Sequence, residues 1–266
     1  MPVFGFIGTG NMGGALARAA RKTLSGQELL LSNRTPEKAR ALAEELGCRA
    51  VDNRTAALEA DYLLLGVKPQ MMESLFQELR PLLRERKAPT VLVTMAAGIA
   101  MDRIRSLAGT ASPVIRILPN TPCSIGEGLI LYSVGEDLTT ETLEVFLRSM
   151  AGAGRFVRLE EQHIDAGCAI SGCGPAFADL FMEALADGGV ACGLPRGAAL
   201  ELAAGMLSGS ARLALSTGAH PAVLKDAVCS PGGSTIQGVR TLEGAGFRSA
   251  VMEAVISAYE KNRALG

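Results

Sequence analysis

The chain has 266 residues, 48% of them hydrophobic and 20% charged, with 26 Lys and Arg against 27 Asp and Glu. That profile belongs to a globular protein of one large or two ordinary domains and excludes a disordered tail. A net charge of -1 leaves no basic excess to neutralise phosphates, so no nucleic acid partner is expected.

The opening run Met1-Pro-Val-Phe-Gly-Phe-Ile-Gly has no positive flank ahead of its apolar residues, so it reads as a first strand and not as a secretion signal. The longest apolar runs, Tyr62–Val67 and Val91–Ala100, fall short of the ~20 residues that cross a bilayer. No membrane partner is expected, and the expected location is cytoplasmic. Six cysteines form no C-x-x-C pair, and the only two histidines, His163 and His220, lie far apart, so no metal site is expected.

Up to Leu159 short apolar runs alternate with helical stretches, which predicts an α/β fold: a doubly wound parallel sheet of Rossmann type with helices on both faces. Strands are predicted at Val3–Ile7, Leu29–Ser32, Arg49–Val51, Tyr62–Val67, Thr90–Met95, Val114–Ile117, Leu129–Tyr132 and Arg155–Arg158. The helix after the second strand has Thr35 as a cap, Pro36 where its missing N–H costs nothing, and Gly47 to close it.

After residue 159 the alternation stops. Helical patterns broken at Gly172–Pro175, Gly193–Pro195, Gly218–Pro221 and Ser230–Gly233 predict an all-helical second domain. The expected division is therefore 1–159 for the dinucleotide-binding domain and 160–266 for a helical substrate-binding and dimerisation domain. Within Leu200–Leu215 the polar residues Glu201, Ser208 and Arg212 occupy one narrow stripe. A helix so apolar elsewhere needs cover on most sides, and so short a domain does not easily supply it; the cover is either a tight dock onto the dinucleotide-binding domain or, the favoured expectation, a homodimer through the helical domain.

Gly8-Thr9-Gly10-Asn11-Met12-Gly13 follows the first strand directly and opens an alanine-rich helix, the context in which G-x-G-x-x-G binds a dinucleotide. The first glycine permits the turn, the second lets backbone approach the pyrophosphate, and the third allows close helix–strand packing. NAD enzymes of this kind place Asp or Glu at the end of the second strand. Here the position reads Ser32-Asn33-Arg34. Arg34 can pair with a 2′-phosphate that a carboxylate would repel, so NADPH is expected, with NADH a weaker alternative. Other loops at strand ends are expected to line the cofactor: Asn53 after the third strand, Gly66-Val67-Lys68 after the fourth, Ala96-Ala97 after the fifth and Asn120 after the sixth.

Taken together the chain resembles the pyrroline-5-carboxylate reductase family over essentially its whole length. The resemblance is carried by Gly5–Gly13, Asn33–Lys38, Val67-Lys-Pro-Gln70, Ala96-Ala-Gly-Ile99 and Pro119-Asn-Thr-Pro122, and more specifically by Ser171-Gly-Cys-Gly-Pro-Ala176, Glu183–Asp187, Gly193-Leu-Pro195, His220-Pro221, Leu224-Lys-Asp226 and Ser230-Pro-Gly-Gly-Ser-Thr-Ile236. It departs at Cys173, where the family usually has Ser, and at Gly205-Met206, where bacterial members often have Gln-Thr.

The resemblance implies a small-molecule substrate, a protonated cyclic imine reduced by hydride from NADPH to give L-proline. Ser230, Gly232, Gly233, Ser234 and Thr235 are implied as the grip on the substrate carboxylate, Thr235 also touching the reacting ring, and Glu161 as a carboxylate beside the ring nitrogen. A higher homo-oligomer, such as a decamer, stays open beside the dimer. An iminium already carries its positive charge, so no histidine acid is expected. Two rivals remain: a β-hydroxyacid dehydrogenase, whose catalytic lysine would have to be Lys225 or Lys261, and a non-catalytic NADP sensor.

Overall fold

A computed structural model describes residues 2–264. Eight strands form one sheet: β1 (Phe4–Ile7), β2 (Leu29–Ser32), β3 (Arg49–Ala50), β4 (Tyr62–Leu65), β5 (Val91–Thr94), β6 (Val114–Leu118), β7 (Gly128–Val134) and β8 (Gly154–Arg158). Their order is β3-β2-β1-β4-β5-β6-β7-β8, and each lies where the sequence predicts it, within a residue or two at the ends. The first six are mutually parallel.

The sheet is not parallel throughout, however: β7 runs antiparallel to β6, and β8 parallel to β7. The link from Leu118 to Gly128 holds only a 3-10 turn, Thr121–Ile125, and a parallel return needs a longer crossover. Among the described residues there are twelve α-helices. Those packed with the sheet are α1 (Asn11–Arg21), α2 (Pro36–Leu46), α3 (Asn53–Glu59), α4 (Met72–Glu85), α5 (Met101–Ala108), α6 (Thr140–Ser149) and α7 (Glu161–Ser171). The remainder are α8 (Gly174–Ala191), α9 (Arg196–Thr217), α10 (Pro221–Ala227), α11 (Ser234–Gly244) and α12 (Phe247–Arg263).

Period-two alternation sorts the strand side chains onto two faces. Phe4, Phe6, Tyr62 and Leu64 join Leu16 and Phe146 in one core, while Ile7, Leu63 and Leu65 join Phe76, Leu79 and Ile104 in the other. Tyr62 stacks on Phe4 with centroids 4.6 Å apart, and its hydroxyl donates to the Thr142 carbonyl at 2.8 Å. Burial pushes the Tyr62 phenol up to about 12, with the Asp61 and Glu141 carboxylates acting in the same direction. Gly47 closes α2 in the left-handed conformation at φ 61°, as predicted, but Thr35 at the other end makes no side-chain capping bond.

By contacts the chain divides into two compact units, Met1–Cys173 with Ala258–Gly266, and Gly174–Ser257. The packing boundary lies one helix later than the expected 159/160 division. The reason is local: Ile164 and Cys168 of α7 are buried against Leu118 of β6 and Leu131 of β7, so α7 closes the sheet unit.

The second unit has almost no interior of its own. Of the described residues of α8–α12, only Ala186, Ala199 and Ala203 are buried. Leu180, Leu202, Leu213 and Leu215 are more than half exposed. Among the described residues one stretch, Glu161–Ala191, is by length and composition apolar enough to cross a bilayer, with 11% of its apolar 18-residue window buried. Counting unbroken apolar runs overlooks it, because its hydropathy is spread among Ala, Gly, Cys and Leu with acidic residues between them.

Candidate active site

The glycine loop has the geometry its spacing predicts. Gly8 takes φ +99°, and a Cβ there would stand 2.4 Å from the Gly66 carbonyl oxygen; a Cβ on Gly13 would stand 2.0 Å from that of Gly8. Any side chain at either position would push the loop off the sheet. Gly10 is the opposite case, with nothing within 4 Å of its Cβ position. Backbone can therefore be approached from outside at Gly10, Asn11 and Met12.

The same place offers donors. Gly10 caps α1 without any side-chain bond and no acidic residue stands in the first turn, so the helix presents free N–H groups and its positive end. The Thr9 N–H donates to Asn33 Oδ1 at 3.1 Å, yet Thr9 Oγ1 is buried with no partner. An orphaned hydroxyl beside an uncapped helix start suits a bound pyrophosphate.

At the carboxyl end of β2 lies an open cavity of about 700 Å³ lined by Ser32, Asn33, Arg34, Asn53 and, from α4, Glu78. Ser32 Oγ donates to Asn53 Oδ1 at 2.6 Å, and Asn53 Nδ2 donates to Glu78 Oε2 at 3.0 Å. Arg34 is exposed and makes no ion pair among the described residues. Its two arginine neighbours are engaged, Arg40 with Glu37 at 3.6 Å and Arg49 with Glu59 at 2.8 Å. Asp52 accepts from the Thr55 N–H at 2.7 Å and so caps α3; bonds from Thr55 hold its carboxyl below the usual aspartate range. Among these residues Arg34 is the uncommitted cation.

The remaining sheet-edge loops divide in role. Gly66 packs against Gly8, a Cβ on it reaching the Gly8 carbonyl at 2.5 Å, so it shapes the cradle. Val67 and exposed Lys68 follow on the same edge, as do Ala96, which is buried, and half-buried Ala97. Asn120 is committed to the protein: its Nδ2 donates to the Ser171 carbonyl at 3.0 Å and its Oδ1 accepts from the Leu129 N–H at 2.9 Å. Its side chain ties β7 to α7.

Glu161 is also committed. Its carboxylate accepts from the Met101 N–H at 2.6 Å, at the start of α5, and lies 3.6 Å from the guanidinium of Arg116. Arg116 is 2% exposed and pairs with Asp165 at 2.6 Å; Asp165 also accepts from the Gly98 N–H. A charge sealed in the sheet requires such partners, and Glu161 serves as one of them. In this arrangement Glu161 braces the start of α5 and the loop after β5. Sequence reasoning passed over Arg116 and Asp165; the available signal was a lone arginine inside the apolar strand Val114–Leu118.

In the helical unit, Gly232 takes φ +70° and the Gly233 N–H donates to the Ser230 carbonyl at 3.0 Å, turning the chain into α11. Gly233 is the cap residue and no side chain caps the helix, so Ser234 and Thr235 open α11 with exposed hydroxyls and free N–H groups. Neither histidine shares this geometry: His220 caps α10 through Nδ1, and His163 is exposed on α7. Lys225 pairs with its neighbour Asp226.

Comparison with known proteins agrees with this geometry. The family model for pyrroline-5-carboxylate reductase dimerisation matches residues 161–265, and one described as NADP oxidoreductase, coenzyme F420-dependent, matches residues 3–98. The helical part, with its uncovered leucines and no interior, is thus the family's homo-oligomerisation module. Pyrroline-5-carboxylate reductase of Glycine max is 38% identical over 98% of this chain and 95% of its own length, and that of Escherichia coli (strain K12) 36% identical over 98% and 97%. The crystal structure of Plasmodium falciparum pyrroline carboxylate reductase with NADP bound superposes with a TM-score of 0.89 at 28% identity, covering 100% of this chain and 98% of that one. An imine reductase from Pseudomonas sp., 21% identical with a TM-score of 0.62 over 97% and 87%, shares the fold. With relatives at this identity over nearly the whole of both chains, and a sheet order, glycine cradle and barely cored helical unit that accord with them, the chain belongs to the pyrroline-5-carboxylate reductase family.

Proposed function

We propose that the chain reduces 1-pyrroline-5-carboxylate to L-proline with NADPH, the last step of proline biosynthesis. The observation that carries the cofactor is the open Gly10 backbone on an uncapped α1, with unpaired Arg34 at the end of β2. NADPH, when bound, supplies a hydride from its nicotinamide. Thr9 and the N–H groups of Gly10, Asn11, Met12 and Gly13 hold the pyrophosphate; Ser32, Asn33, Arg34 and Asn53 hold the adenosine ribose and its 2′-phosphate. Gly66, Val67, Lys68, Ala96 and Ala97 line the reduced end, and Asn120 acts there by fixing the backbone around it.

The rest of the work is orientation. The substrate carboxylate seats on the N–H groups and hydroxyls of Ser230, Gly232, Gly233, Ser234 and Thr235, where an anion at a helix start gains about 0.3–1 kcal/mol. Thr235 meets the nitrogen side of the ring and holds its proton while carbon receives hydride. An iminium is already electrophilic, so near-attack geometry, worth several kcal/mol of barrier, is the main protein contribution. This agrees with a loop that contains no histidine.

We propose a homodimer built through residues 160–266, since leucines left bare on α8 and α9 need a second copy; a decamer would be a further assembly of such dimers. All six cysteines are free, which suits a reducing cytoplasm. The test is NADPH oxidation by the purified protein with pyrroline-5-carboxylate, with a 3-hydroxyacid in the oxidative direction, and with neither. Turnover is expected with the imine alone, and Thr235→Ala should lower kcat/KM about tenfold to a hundredfold through loss of a bond to a charged ligand. Wild-type turnover in that variant would remove Thr235 from the site.

A further inference from the structure

In the β2-end cavity the local sequence provides no acid for a ribose diol, yet tertiary structure brings one there from another element. Ser32 Oγ donates to Asn53, and Asn53 Nδ2 donates to Glu78 of α4, so a carboxylate ends a hydrogen-bonded chain that begins at the cofactor-facing end of β2. Glu78 is exposed and forms no ion pair among the described residues. Asp52, the other acid on that wall, is occupied with the Thr55 N–H, and Arg40 and Arg49 are each paired. Arg34 and Glu78 therefore line one cavity with charges of opposite sign, neither in an ion pair among the described residues.

We propose that Glu78 is a specificity-determining residue for the dinucleotide. Held by Asn53, its carboxylate accepts from the 2′-hydroxyl of an unphosphorylated adenosine ribose and repels a 2′-phosphate, so it opposes Arg34 and keeps NADH usable. The chemistry is that of the acid usually found at the end of the second strand, delivered here by a helix remote in sequence. This inference rests on reading the cavity as the adenosine-ribose site.

Glu78→Gln is the decisive variant, because glutamine still accepts from Asn53 Nδ2 while the charge is lost, and the position is exposed. Values of kcat/KM are compared for NADPH and NADH in wild type, Glu78→Gln and Arg34→Ala, at low and high ionic strength. Glu78→Gln is expected to raise the NADPH value and lower the NADH value, moving their ratio about tenfold, with the NADPH gain shrinking in salt. Equal change with both cofactors, or none, overturns the assignment. Arg34→Ala separates the two levels of failure: if it loses NADPH selectively while Glu78→Gln leaves the ratio unmoved, only the role of Glu78 falls. An equal loss on both cofactors in Arg34→Ala sinks the reading of the cavity itself.

Discussion

The two units obey different rules of stability. In the sheet unit Leu63, Leu64 and Leu65 are at most 1% exposed, and two cores enclose the strands from either side. In the helical unit three alanines are buried, while Leu180 and Leu215 are 68% and 74% exposed. A helix bundle with no interior cannot offset its chain entropy alone. The cofactor half is thus complete within one chain, whereas the half carrying Ser230–Thr235 acquires its core by pairing, which ties activity to protein concentration.

The strongest way to break this contrast is to charge the bare face of α9. Leu202 and Leu213 lie on one helical stripe, and Leu202→Asp with Leu213→Asp should dissociate the assembly, since a buried unpaired charge costs about 3–5 kcal/mol. Light scattering should then report monomers and the assay at least a hundredfold loss of turnover. Unchanged mass and activity would show that the helical unit needs no partner.

A cavity cut in the sheet gives the complementary result. Leu63→Ala, at a fully buried site, is expected to cost about 2–5 kcal/mol of stability without changing the oligomer. Denaturation should show a loss independent of protein concentration for this variant, and a concentration-dependent midpoint for the assembled wild type. If the Leu63 loss scaled with concentration, the sheet unit would not be self-sufficient.

The smallest effect sharpens the picture inside the sheet unit. Asp52→Ala removes the α3 cap, a loss of at most about 1 kcal/mol at so exposed a position. The folded carboxyl titrates below its unfolded value, so its contribution is present above the unfolded pKa of about 3.9 and disappears as pH falls through the folded one. Urea midpoints of variant and wild type should differ at neutral pH and converge as the pH falls below the unfolded value of about 3.9. A gap that widened in acid would contradict the cap.

The eight strands, the three glycine roles and the absence of an acid at Ser32-Asn33-Arg34 were legible from sequence, because each is set by residues within a few positions of one another. Periodicity places a strand, and a missing Cβ permits a turn, whatever surrounds them. The reversal of β7 in an otherwise parallel sheet was not legible, because the length of one link decides its direction. The bonds that Glu161 and Asn120 make were not legible, because their partners Arg116, Met101, Leu129 and Ser171 come from other elements.

Sequence alone therefore determined which backbone could approach a dinucleotide and which helices had too much apolar surface to stand uncovered. Tertiary structure alone decided which side chains remained available for chemistry. Sheet order sets which loops become neighbours, and a polar group enclosed between them bonds to whatever that order brings within reach. That is how Glu78 arrives beside Ser32 and Asn53, and how Glu161 is drawn to the buried guanidinium of Arg116.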